Sequence, residues 1–267
     1  LPAADQRTEI FITAALIVFL GVPHGALDVL YLRKILPRPT PTKFVLLLLA
    51  YLAVSAAVVV LWVVSPLLFL LGFLAGAAFH FSGDPEEGAS VLTRIAIGAG
   101  VVALPSLQHG PELEHLYTLL TNASVAQTVV QVSVPVALMT LVIAAIALVV
   151  EISNRRFENA FELLAVGLIA TFCSPLLAFT VYFCLMHSAR HILRTIKLAE
   201  MQWRALLLEC VLPMVVVLVA GVIASQIKWS GSPDAKVIQI VFVILASLTA
   251  PHMILIEPIR LRGWKTA

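Results

Sequence analysis

Four histidines stand inside segments apolar enough to cross a bilayer: His24 in GVPHGALD, His80 in AAFHFSGD, and His187 and His191 in LMHSARHI. An imidazole in hydrocarbon is costly and is retained where it faces a partner or a cavity, so these rings are the first place to look for chemistry. His187 and His191 are spaced i, i+4, which puts both on one face of a helix about one turn apart, a chelating arrangement. His24 and Asp28 have the same spacing. Asp28 is therefore expected either to accept the second ring N–H of a ligand histidine or to pair with Arg33 at the helix end. Pro23 cannot bond back toward Phe19, and with Gly21 and Gly25 flanking it predicts a kink where His24 projects. After His80 comes Asp84-Pro85, where Asp84 is either a carboxylate backing a ligand or a solvated loop residue.

Imidazole suits iron, zinc, copper and nickel, so ligand type alone does not choose the metal. Four neutral imidazoles would leave two positions open on a six-coordinate ion, and open positions favour catalysis over a structural role. The competing reading is a set of interior histidines that are merely hydrogen-bonded. Around the candidates lie Phe79, Phe81, Phe179, Tyr182, Phe183 and Met186, an aromatic-rich wall that reads either as helix packing or as a surface for a long apolar substrate. Cys173, Cys184 and Cys210 lie in apolar stretches without CxxC spacing and read as small core residues.

The elements that must position these groups follow from composition. The 267 residues are 61% hydrophobic and 12% charged, with a strongly positive mean hydropathy, which places the chain outside the soluble range and makes it a polytopic membrane protein. The net charge of +2 comes from scattered basic residues, so nucleic acid is excluded as a partner. About nine apolar windows (eight to ten spans) are predicted as transmembrane helices, near 10–32, 43–65, 66–82, 91–107, 125–150, 158–173, 175–193, 205–227 and 237–258. Together they form one all-α integral-membrane domain over 1–267. The first window carries PHGALD at its inner half and is read as part of the fold, not as a cleaved signal. Ser65-Pro66 and Ser174-Pro175 predict tight hairpins with proline in the first turn of the next helix. The stretch 109–122 is too short and polar to span and is expected as an amphipathic helix lying at the interface.

With the N-terminus outside and the C-terminus cytoplasmic, fourteen of the 17 Lys and Arg fall on the inner side. Trp62, Trp203, Trp229 and Trp264 fall at or just beyond span ends, as interfacial anchors do. Threading this topology brings His24, His80, His187 and His191 to the cytoplasmic half of the membrane from three helices far apart in sequence. His252, in TAPHMIL of the last span, arrives at similar depth. His109 and His115 come out on the opposite side and are not expected to be ligands.

PHGALD, HFSGD and HSARH, followed by the late PHM, resemble in order and setting the Brp/Blh family of β-carotene 15,15'-dioxygenases, over nearly the whole chain. The resemblance implies a bacterial or archaeal plasma-membrane enzyme that cleaves β-carotene centrally with O2 to two all-trans-retinals, often to supply a rhodopsin. It also implies a non-haem iron(II) centre whose ligands map onto His24, His80, His187 and His191, with Asp28 supporting it and the role of His252 open. A hydrocarbon substrate dissolved in the bilayer would explain a metal placed inside the membrane. A diiron desaturase or hydroxylase would need a larger set of HxxH-type boxes than seven histidines provide. A b-type cytochrome would need axial histidines on two helices. From another class, the chain would be a non-enzymatic retinoid or carotenoid carrier, or an assembly partner of a retinal protein.

Overall fold

A computed structural model of the chain describes residues 6–35, 40–86, 88–200, 202–226 and 231–262, and among these there are helices and turns but no strand. The first apolar window is built from α1 (Gln6–Leu16), a π-helical stretch Ile17–Gly21, a 3-10 stretch Val22–Leu27 and α2 (Asp28–Ile35). α3 (Pro41–Val64) and α4 (Pro66–Phe81) form the first hairpin, and α5 (Val91–Ala103) runs on into the short α6 (Pro105–Gln108). Next come α7 (Gly110–Leu120), α8 (Ala123–Ser153) and α9 (Phe157–Phe172). α10 (Pro175–Val181) continues through a π-helical turn, Tyr182–Ser188, into α11 (Ala189–Ala199); α12 (Trp203–Gln226) and α13 (Pro233–Arg262) complete the chain.

The nine apolar windows are helical over their described residues, and among the described residues six segments are both long and apolar enough to cross a membrane. α4, α5 and α9 have 16, 13 and 16 residues, short of the roughly 20 that a crossing needs. Proline is part of the reason for the division. Pro66, Pro105 and Pro175 each open a new helix, where the missing N–H is harmless; Ser65 and Ser174 before them leave helical geometry, whereas Leu104 before Pro105 keeps it. Ser65, at φ −143°, ends α3 in this way. Other starts are set by side-chain caps: Ser90 Oγ accepts the Thr93 N–H at 3.1 Å, and Asn122 Oδ1 accepts the Val125 N–H at 3.1 Å.

α13 lies at the centre, packed against α1, α3, α7 and α12, while α5 packs against α4, α8 and α9. At one crossing the backbones nearly touch. Any Cβ on Gly98 of α5 would collide with the carbonyl of Ala78 in α4, so only glycine permits this approach. The amphipathic helix expected over 109–122 forms as α7 and packs its apolar face against α8 and α13. Leu113, Tyr117 and Leu120 are buried, while Pro111, Glu112 and His115 stay outside.

Candidate metal centre

Four helical lines meet at one buried place and bring five histidines together: His24 from the 3-10 stretch, His80 near the end of α4, His187 and His191 from the π-turn and α11, and His252 from α13. Ring centroids of neighbours lie 4.7 Å (His80–His187), 4.8 Å (His24–His187), 5.1 Å (His80–His252), 5.2 Å (His24–His252), 5.4 Å (His191–His252) and 5.5 Å (His24–His191) apart. His187 and His191, on successive turns, stand 6.5 Å apart.

The backbone is irregular at both places where the chain must aim a ring. The π and 3-10 stretches around Pro23 break the regular ladder, and buried carbonyls there need other donors. Side chains supply them. Ser188 Oγ–H donates to the Leu20 carbonyl at 2.7 Å, and the thiols of Cys184 and Cys210 approach the carbonyls of Leu16 and Pro23 at 3.5 and 3.7 Å. Those two cysteines are free, as is Cys173. Gly21 is required here, because a Cβ would collide with the ring of Phe183, which lies edge-on to His24. The kink expected at Pro23 is thus a change of helical form, locked by contacts with the π-turn of the other histidine-bearing segment.

Hydrogen bonds at Nδ1 fix the tautomer of four rings. A carbonyl or an ionised carboxylate can only accept, so each of these Nδ1 atoms carries the proton and each Nε2 keeps its lone pair. His24 Nδ1–H donates to the Gly21 carbonyl at 2.6 Å, and His252 Nδ1–H to Asp28 Oδ1 at 2.6 Å. His80 Nδ1–H donates to Glu257 Oε1 at 2.8 Å, and His187 Nδ1–H to Asp84 Oδ2 at 2.9 Å. The Nε2 atoms of His187, His191 and His252 are buried without a hydrogen-bond partner. His191 differs from the other four, its ring stacking on Tyr31 at 5.7 Å, and the Tyr31 hydroxyl meets Thr195 Oγ1 at 2.8 Å.

Asp28 and Asp84 each accept from a clustered histidine, though in neither case from the one nearest in sequence. Asp28 serves His252 and takes the Tyr51 hydroxyl at 2.8 Å; it is not the partner of His24. Three residues per turn in the 3-10 stretch carry residues four apart off a common face, so α-helical spacing misleads there. The alternative partner, Arg33, has its side chain outside the described residues. Asp84 serves His187, not His80. The turn after α4, with Asp84 N–H bonded to the Phe81 carbonyl, swings it across to the π-turn, where the Tyr182 hydroxyl also donates to it at 2.6 Å. Burial disfavours the charge of Asp84, but the facing His187 and the Tyr182 hydroxyl outweigh it and hold the carboxyl below its ordinary range. The Asp84 loop is bolted to α11 by Arg190 and Arg194, which donate to the Asp84 carbonyl at 2.8 and 2.7 Å. Glu257, the partner of His80, was missed altogether. Its signal was an acidic residue inside the last apolar window, five positions after His252.

The aromatic wall divides on inspection. Phe81, Phe179 and Phe183 line a void of about 320 Å³ together with His24, His80, His187 and His252. Tyr182 and Met186 line a separate pocket of about 250 Å³, while Phe79 is 48% exposed on the outside of the bundle. His109 pairs with Glu112 at 3.3 Å and His115 is exposed; no ring contact among the described residues joins either to the five.

Among the described residues, no three His, Cys, Asp or Glu side chains are posed as a finished cage for an ion. What the chain provides is a set of imidazole donors gathered beside a void, with the Nε2 lone pairs of His187, His191 and His252 satisfied by no hydrogen bond. Buried polar atoms of that kind call for an acceptor of electron pairs, and a row of Nδ1–H to carboxylate bonds is the usual support of metal-binding histidines. The donor set therefore suits a transition-metal ion. No solved structure matches the chain. A protein called β-carotene 15,15'-dioxygenase, from uncultured marine bacterium 66A03, is 30% identical over 256 residues, covering 91% of this chain and 91% of its own length. The family model described as β-carotene 15,15'-dioxygenase matches residues 15–259, which include all five clustered histidines and their three carboxylates, and the chain belongs to that family.

Proposed function

We propose that the chain is a membrane enzyme that splits β-carotene at its central 15,15' double bond with O2, giving two all-trans-retinals at a non-haem iron(II) site. The observation that carries this reading is the cluster of five histidines, four with Nδ1 protonated, in which the Nε2 atoms of His187, His191 and His252 are buried without a hydrogen-bond partner. His24, His80, His187 and His191 would hold the iron, and His252, anchored as His187 is, is taken as a fifth donor. One hydrocarbon and one O2 balance two aldehydes without a further reductant. Bound iron(II) supplies the electron chemistry that lets O2 react with a closed-shell double bond. The protein's own part is positional. Asp28, Asp84 and Glu257 hold three rings by their Nδ1–H groups, keeping Nε2 available and the orientation set. Phe81, Phe179 and Phe183 exclude water and, by packing on a flat polyene, present one bond to the site.

The helices α3 and α12, apolar and exposed, read as lipid-facing, which suits a substrate delivered from the bilayer. In this reading the N-terminus lies outside and the C-terminus in the cytoplasm of a cell whose plasma membrane holds the protein. The site lies in the cytoplasmic half, and retinal passes to a partner such as a rhodopsin. The test is metal analysis of the purified protein, then incubation with β-carotene under air and under argon, with products identified by chromatography and mass. Iron near one per chain and retinal only under air are the expected results. Stoichiometric carotenoid or retinoid binding without turnover by the iron-loaded protein would mean a carrier and overturn the proposal.

A further inference from the structure

A second pocket lies beside the one at the histidines. This chamber is lined almost wholly by apolar side chains, with about 700 Å³ of empty space counting its open mouth. The two voids share walls: Phe73, Ala77 and Phe179 line both. On α4, Leu70, Phe73, Leu74 and Ala77 lie on one face and lead from the chamber to His80. Ten residues of α-helix separate Leu70 from His80, about 15 Å at 1.5 Å per residue.

The far end is closed by α7. Leu113, Leu116, Tyr117 and Leu120, at i, i+3, i+4 and i+7, face the chamber. This helix is held rigidly at its last turn, where carbonyls lack intrahelical donors. Trp62 Nε1–H of α3 donates to the Leu120 carbonyl at 2.9 Å, and Gln239 Nε2–H of α13 donates to the Leu119 carbonyl at 2.8 Å. The chamber is thus apolar, shares walls with the histidine void and is bounded on one side by a clamped helix.

We propose that this chamber receives one arm of the substrate polyene, with α7 as the stop that sets which double bond lies at the histidines. The inference rests on the proposed cleavage reaction. An extended chain advances about 1.2 Å per bond, as a polypeptide does over its three bonds per residue. About 15 Å therefore accommodates roughly nine chain bonds and a six-membered ring, which is the half of β-carotene from its central bond to one end. Equal arms are what central cleavage demands, and a fixed stop measures one of them.

The test fills the chamber from two sides with Leu74→Phe and Leu116→Phe, and enlarges it with Leu116→Ala. Binding is read on the metal-free protein, as quenching of Trp62 by an all-trans polyene aldehyde, with Trp62→Phe as the control. The filled variants should bind at least tenfold more weakly. In the iron-loaded protein, at unchanged iron content, they should either lose at least tenfold in retinal formation or release unequal aldehydes, the shorter one from the inserted arm. Leu116→Ala, which threatens folding least, should loosen the choice of bond and add off-centre products. Wild-type binding together with central cleavage at the wild-type rate in both filled variants would overturn the chamber's role. If the wild-type protein with full iron makes no retinal, the cleavage reaction is what fails, and the quenching experiment still decides whether a polyene occupies the chamber.

Discussion

Two neighbouring segments of similar length and apolarity, Arg7–Leu32 and Pro41–Val64, have opposite designs. The second is an uninterrupted α-helix in which 6% of the most apolar window is buried, against 39% in the first. Apolar on all sides and left outside the core, α3 has lipid as its natural surroundings, and its main tie to the site is the Tyr51 hydroxyl on Asp28. The first segment gives up regular geometry twice and recovers its backbone hydrogen bonding through side chains of other helices. A regular helix is sufficient to fill a membrane, but aiming a ring into a shared centre demands local departures that only surrounding packing can maintain.

This contrast is open to direct attack, beginning where the effect should be greatest. Alanine at His24, His80, His187 or His191 should reduce retinal formation to background and lower iron content, in protein that still elutes as a single species in detergent. Two or more such variants with full iron and turnover would refute the assignment. Next come the anchors: Asp28→Asn, Asp84→Asn and Glu257→Gln should each lower iron affinity or activity by about 10 to 100-fold, measured by iron titration and by initial rate. Because Glu257 was invisible to spacing arguments, a normal Glu257→Gln variant would be the sharpest blow to the carboxylate pattern.

Packing predictions are smaller. Gly21→Val pushes against Phe183 and should cost about 1–3 kcal/mol, seen as a lower melting temperature in detergent. Leu49→Ala on the exposed flank of α3 should change stability by less than about 0.5 kcal/mol. Equal effects at the two sites would erase the difference between the segments. Smallest of all, His109→Ala and His115→Ala should leave both iron content and retinal yield unchanged.

Much of the helical pattern is a local property, and the sequence by itself determined it. Apolar runs, hairpin prolines and capping residues decide where helices start and stop, because each acts within a turn or two of itself. The same locality made four histidines in apolar segments legible as a candidate centre, and positions of like depth pointed to His252 as a companion. Three of the nine windows form helices of 16, 13 and 16 residues, and a hydrophobic run does not reveal whether lipid or other helices will surround it. Tertiary structure alone decided the pairing: His80 with Glu257, His187 with Asp84 and His252 with Asp28 join residues 177, 103 and 224 positions apart. It also set α7 against α8 and α13, where it lines the apolar chamber. No period along the chain encodes such partners, because a buried N–H takes the acceptor that packing brings within reach, and packing is settled only when all the helices are in place.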